Sequence, residues 1–134
     1  MTSSNVSPNP TVWLTLQATD APKLIDYFVE TFGFVVTAQY GDGDRVDHAE
    51  LKWPEGSGGI MMGSHKPGNA WCREPGTAGG YVVTTDPDAL YERALQHNAD
   101  VIRPLENTDY GAREFSVRDP EGNLWSFGDY AGAS

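Results

Sequence analysis

Cysteine is nearly missing from this chain: Cys72 stands alone among 134 residues. A single thiol excludes an internal disulfide framework and every CxxC metal or redox motif, and it has no His or Asp at a recognisable nucleophile spacing. Basic residues are scarce too, with nine Lys and Arg against nineteen Asp and Glu and a net charge of −10. Duplex binding needs a cationic surface that displaces counterions, so nucleic acid is not an expected partner. No apolar run approaches the roughly 20 residues that a bilayer demands, so no membrane contact is expected either. The opening MTSSNVSPNP lacks a basic end and an apolar core; residues 1–10 read as a polar lead-in, and a cytoplasmic location is expected. No glycine-rich loop follows a strand, which removes the common nucleotide cofactors. Acidity of this degree attracts a cationic small molecule, and it is equally the ordinary surface of a soluble protein.

What the chain does contain is a repeat. At 39% hydrophobic and 21% charged residues it suits one folded domain. A shift of 66 positions places Thr19-Asp20 on Thr85-Asp86, Leu24 on Leu90, Val35 on Val101 and Pro54-Glu55-Gly56 on Pro120-Glu121-Gly122. Each half opens with a strand-like run, Val12 to Ala18 and Tyr81 to Thr84. Asp20 and Asp86 follow as helix caps, with Pro22 and Pro87 in the first turn, where a missing N–H does no harm. One helix carries Leu24, Ile25, Phe28 and Phe32 and stops at Gly33; the other carries Leu90, Tyr91, Ala94 and Leu95 and stops near Asn98. Three strands come next in each half: Phe34 to Tyr40, Val46 to Trp53 and Gly59 to Met62, then Asp100 to Leu105, Arg113 to Arg118 and Asn123 to Phe127. The expected organisation is α+β: two β-α-β-β-β modules over 11–62 and 79–130, joined by a linker over 63–78 and forming one domain together. A four-stranded sheet with one helix leaves a face bare, so the halves must cover each other or curl around a ligand.

Two such modules, with the segment YGAREFSVRDPEGNLWSF from Tyr110 to Phe127 and the helix end Phe32-Gly33-Phe34, resemble the vicinal-oxygen-chelate superfamily. That superfamily includes glyoxalase I, extradiol dioxygenases, fosfomycin-resistance enzymes and bleomycin-resistance proteins. The resemblance implies an incomplete eight-stranded barrel with helices outside, and commonly a homodimer. It also implies clefts built from one chain's modules or completed across the interface. Metal-dependent members hold a divalent ion with His and Glu from the first and last strands of each module. Counted from the helix caps and the final turn, those positions fall on Trp13, Met61, Gly79 and Ser126. This set offers one thioether and one hydroxyl, too little for the usual divalent ion. No metal or other cofactor is therefore expected there.

Alternation supplies a second group. Ala49, Leu51, Phe115 and Val117 are apolar and should face the helices, which sends His48, Glu50, Glu114 and Ser116 to the opposite face. Two carboxylates and an imidazole suit a displaced metal, acid–base work, or plain polar lining of a ligand site. His65, in the linker, and His97, in the last helical turn, carry no such grouping. Trp13 and Thr15, with Tyr81 and Val83 as repeat counterparts, should line the same cavity, and Trp71 and Tyr110 should supply rims. Aromatic rings beside acidic groups suit a planar or cationic guest. Resemblance to the bleomycin-resistance branch implies a protein that sequesters an aromatic or cationic compound such as an antibiotic, without consuming it. The alternative is a lyase, isomerase or dioxygenase-like enzyme working at His48, Glu50 and Glu114.

Overall fold

Every expected element forms. A computed structural model describes residues 10–133, so all but Pro10 of the expected lead-in lies outside the described residues. The first half runs β1 (Trp13–Ala18), α1 (Ala21–Tyr27), a π-helical turn (Phe28–Phe32), β2 (Val35–Asp42), β3 (Arg45–Lys52) and β4 (Gly59–Ser64). The second runs β5 (Gly79–Val83), α2 (Pro87–Gln96), β6 (Asp100–Asn107), β7 (Arg113–Arg118) and β8 (Leu124–Gly128). The strands make two four-stranded sheets ordered β1-β4-β3-β2 and β5-β8-β7-β6. In each sheet the first strand lies parallel to the last, and the remaining pairs are antiparallel. Among the described residues no strand pairs across the halves, so the barrel stays open. Among the described residues no helix is long and apolar enough to cross a membrane.

Local chemistry explains the helix starts. The Asp20 carboxylate accepts from the Lys23 N–H at 3.3 Å, and Asp86 does the same for Ala89 at 3.0 Å. The amide nitrogens just outside each helix are satisfied by the other half. Glu121 Oε1 and Oε2 accept from the N–H groups of Thr19 and Asp20 at 2.9 and 2.8 Å. Glu55 accepts from the Thr85 N–H and from the hydroxyls of Thr84 and Thr85 at 2.8 to 3.0 Å. In an ordinary capping box a glutamate within the same helix bonds the cap's N–H; here each module lends its turn glutamate to its neighbour. The most repetitive parts of the sequence, Thr-Asp and Pro-Glu-Gly, are thus the two sides of one reciprocal clasp.

The first helix ends differently from the simple α-turn that its spacing predicts. Its last turn widens to π geometry before Gly33 closes it at φ +87°. The wider turn drives Phe28 and Phe32 inward, against Trp125 (5.2 Å between ring centroids) and Phe127 (4.4 Å) of the other half. It also presents the Val29 and Glu30 carbonyls to the Arg93 guanidinium of α2 at 3.1 and 3.0 Å. Phe34 and Trp53 continue this aromatic seam, with the Trp53 indole N–H donating to the Val83 carbonyl at 2.8 Å. The hydrophobic core therefore draws on both halves. β5 also starts two residues earlier than its composition suggests. Gly79 and Gly80 pair with Leu124 and Trp125 of β8, and a Cβ on Gly80 would sit about 3.0 Å from the Trp125 ring.

Candidate functional site

With the helices and apolar strand residues committed to the shared core, each sheet keeps one polar face. The registers align these faces row by row. Thr15, Met61 and Glu50 are cross-strand partners in the first sheet, and Tyr81, Ser126 and Ser116 are partners in the second. Met61 and Ser126 are therefore equivalent positions.

On the first face the His48 Nε2 lies 2.9 Å from Glu50 Oε2, with both side chains partly exposed. Thr15, His48 and Met61 line a cavity of about 290 Å³, overhung by Trp71 and Arg73 of the linker. A larger neighbouring space of about 620 Å³ runs from Trp13 and Thr15 under Trp71 to Gly79. Trp71 is 72% exposed, its backbone N–H turned back onto Asn69 Oδ1 at 2.8 Å. Trp13 is half-buried; its ring covers Gly59, where a Cβ would collide with it.

The second face is built around one buried carboxylate. Glu114 is 1% exposed and accepts from the Tyr110 hydroxyl at 2.6 Å, the Tyr81 hydroxyl at 2.7 Å and Arg103 Nη2 at 3.0 Å. Burial opposes its charge, but the two phenols and the guanidinium outweigh burial and hold the carboxyl below its usual range. Burial and the bond to Glu114 together push the Tyr81 phenol well above its ordinary value. The Tyr81 oxygen also accepts from the Tyr130 N–H at 3.3 Å. Arg103 continues through Nε to Ser116 Oγ at 3.2 Å, and Ser116 bonds Ser126 at 2.7 Å. Gly128 makes the arrangement possible, since any Cβ there would strike both the Tyr81 hydroxyl and Glu114. Tyr81, Val83, Tyr110 and Tyr130 wall a shallow cavity of about 640 Å³ over this carboxylate.

His48, Glu50 and Glu114 do not gather within one chain: the first two bond each other on one sheet, while Glu114 is tied to Arg103 and two tyrosines on the other. Each sheet packs its apolar side into the common core, so His48 and Glu114 line separate cavities. The second cavity is also less acidic than its residue types suggest, because Arg103 neutralises its carboxylate. Trp13, Met61, Gly79 and Ser126 do not fit the divalent ion that metal-dependent members of the resembled superfamily hold. They supply one thioether and one hydroxyl, and that hydroxyl is already engaged by Ser116. Arg103, Tyr130 and Gly128 went unread in the sequence. The signal for Arg103, a cation on the strand facing Glu114, is scrambled by register shifts on both sides of it.

A family model for the Glyoxalase/Bleomycin resistance protein/Dioxygenase superfamily matches residues 11–127. The uncharacterized protein Mb0911c of Mycobacterium bovis is 32% identical over 117 residues, covering 81% of this chain and 76% of that protein. The uncharacterized protein Rv0887c of Mycobacterium tuberculosis shows the same identity over 81% of this chain and 68% of its own. Among solved structures, TioX from Micromonospora sp. ML1 superposes with a TM-score of 0.75 at 28% identity, covering 92% of this chain and 99% of that one. TnmS3, an antibiotic binding protein from Streptomyces sp. CB03234, gives a TM-score of 0.71 over 93% and 97% of the two chains. At 22% identity that likeness is one of fold.

Proposed function

The chain belongs to the Glyoxalase/Bleomycin resistance protein/Dioxygenase superfamily, and from that membership we propose that it binds and sequesters a small aromatic or cationic compound, such as an antibiotic, with no metal in the cleft. The observation that carries this reading is the content of the two faces. Where metal-dependent relatives need donors, this chain has Trp13, Met61, Gly79 and a hydrogen-bonded Ser126. Around those positions stand Trp71, Tyr81, Tyr110 and Tyr130, several of them open to solvent. Rigid rings offer large contact area at little entropic cost and attract cations through their faces. The fold that this chain shares with TnmS3 supports the same reading. The first face of one protomer, with Trp13, Thr15, His48, Glu50 and Met61, would meet the second face of a partner, with Tyr81, Tyr110, Glu114 and Ser126, so that a homodimer completes two clefts. A cytoplasmic location goes with this reading.

Calorimetric titration with bleomycin and a panel of planar cationic antibiotics tests the proposal. Saturable binding that persists in the presence of a chelator is the expected result. Trp13→Ala should weaken it at least tenfold, about 1.4 kcal/mol, while lowering stability by less. Flat titrations across the panel would overturn the reading, and equal losses of binding and stability would make Trp13 a core residue alone.

A second reading, a lyase, isomerase or dioxygenase-like catalyst, is favoured by the 2.9 Å His48–Glu50 contact, which is the geometry of an oriented base. Consumption of a bound compound by the wild-type protein, lost in His48→Gln with binding retained, would establish it.

A further inference from the structure

The linker brings together three side chains that the sequence keeps apart. His65 follows β4 and is anchored there by its N–H to the Ala18 carbonyl at 2.9 Å. Beyond it the chain loops out and returns through an Asn69 turn, where the Cys72 N–H donates to the Asn69 carbonyl at 3.0 Å. Glu74 follows, its carbonyl held by the Thr77 hydroxyl at 2.6 Å. The potential ligand atoms of His65, Cys72 and Glu74 all lie within 4.8 Å of one another. Among the described residues no other group of three His, Cys, Asp or Glu side chains meets that condition.

The imidazole supplies an independent observation. His65 Nε2 is buried and has no hydrogen-bond partner, although Glu74 Oε2 lies 3.3 Å away. A buried polar nitrogen left unpaired is unfavourable unless something takes its lone pair. The other side chains at that point are a thiol and a carboxylate, so a metal ion would satisfy all three.

We propose that His65, Cys72 and Glu74 form a zinc site that locks the linker against the first sheet. Thiolate and imidazole together select a borderline-soft ion such as Zn²⁺ over Mg²⁺ or Ca²⁺. Tetrahedral Zn²⁺ bound at about 2.0 to 2.3 Å separates its ligand atoms by roughly 3.5 Å. The present spacing, within 4.8 Å for all three ligand atoms, stands a little wider than that. Binding transfers the Cys72 thiol proton to solvent, and thiolate plus carboxylate balance the dipositive ion. A water takes the fourth position. This site lies in the linker, away from the strand positions that metal-dependent relatives use, and it acts by pinning the segment that carries Trp71 over the cleft.

The test is titration of chelator-treated, full-length protein with Zn²⁺ in competition with a chromophoric chelator, followed by substitution with Co²⁺. One equivalent should bind, and Co²⁺ should give a near-ultraviolet thiolate charge-transfer band. Cys72→Ser should abolish the band, and Cys72→Ser and His65→Gln should each weaken Zn²⁺ at least tenfold. Zn²⁺ should also slow tryptic cleavage after the exposed Arg73 in the wild type only. Binding that is substoichiometric, or equal in wild type and variants, would reflect surface carboxylates alone and overturn the site. No organic ligand enters these measurements, so their outcome is separate from that of the binding proposal.

Discussion

Glu114 shows how much one buried side chain can organise. It joins Arg103 on β6 and Tyr81 on β5 to Tyr110 in the turn before β7, and each partner depends on its staying ionised. Its folded pKa is depressed relative to the unfolded chain, where a glutamate titrates near 4.3. The native state therefore holds fewer protons. The resulting stabilisation is complete above the unfolded value and disappears as pH falls through the folded one. Tyr81→Phe removes one donor, which should destabilise by about 1 kcal/mol. It should also move the acid limb of a melting-temperature profile to higher pH. A variant whose acid limb coincides with that of wild type would show that the phenol does not support the charge. At this scale the sequence was readable in part. Alternation with Phe115 and Val117 put Glu114 on the polar face, but nothing along the chain marks Arg103 as its counter-ion. His65, Cys72 and Glu74 were invisible for a similar reason: a turn-rich linker has no period from which to infer proximity.

At the scale of elements, the halves share an aromatic core and are clasped at their ends. Asp20 and Asp86 cap their helices as the sequence predicts, while the amide nitrogens before those caps are filled from the opposite half by Glu121 and Glu55. Glu121→Ala leaves two N–H groups without their charge-assisted partner and should lower stability by about 1 to 2 kcal/mol in urea unfolding. Glu55→Ala should do about the same at the pseudo-symmetric place. A loss near zero in both would reduce the clasp to a surface contact. The order of strands and helices was legible because capping residues and turn glycines sit at fixed offsets in both halves. The π turn was not legible. Its driving force is the demand of Trp125 and Phe127 for Phe28 and Phe32, and those partners lie more than ninety residues further along the chain.

For the whole molecule, the two polar faces line separate cavities within one chain, and neither is enclosed. If ligand binding requires both faces, it also requires a second protomer. Sedimentation should then find two chains per particle, and dilution to the monomer should abolish ligand binding. A monomer that binds as tightly as the parent solution would refute the shared cleft. Repulsion between two chains that each carry a net charge of −10 opposes such pairing at low ionic strength, so moderate salt should favour the dimer.

Because Glu55 and Glu121 fasten the halves from both sides, the peptide between them is released from tethering. Between β4, which ends at Ser64, and β5, which begins at Gly79, the stretches around His65, Cys72 and Glu74 need not keep one length or composition for the protein to stay folded. They are free to be redrawn as the cleft's adjustable wall, letting one rigid frame accommodate guests of different outline.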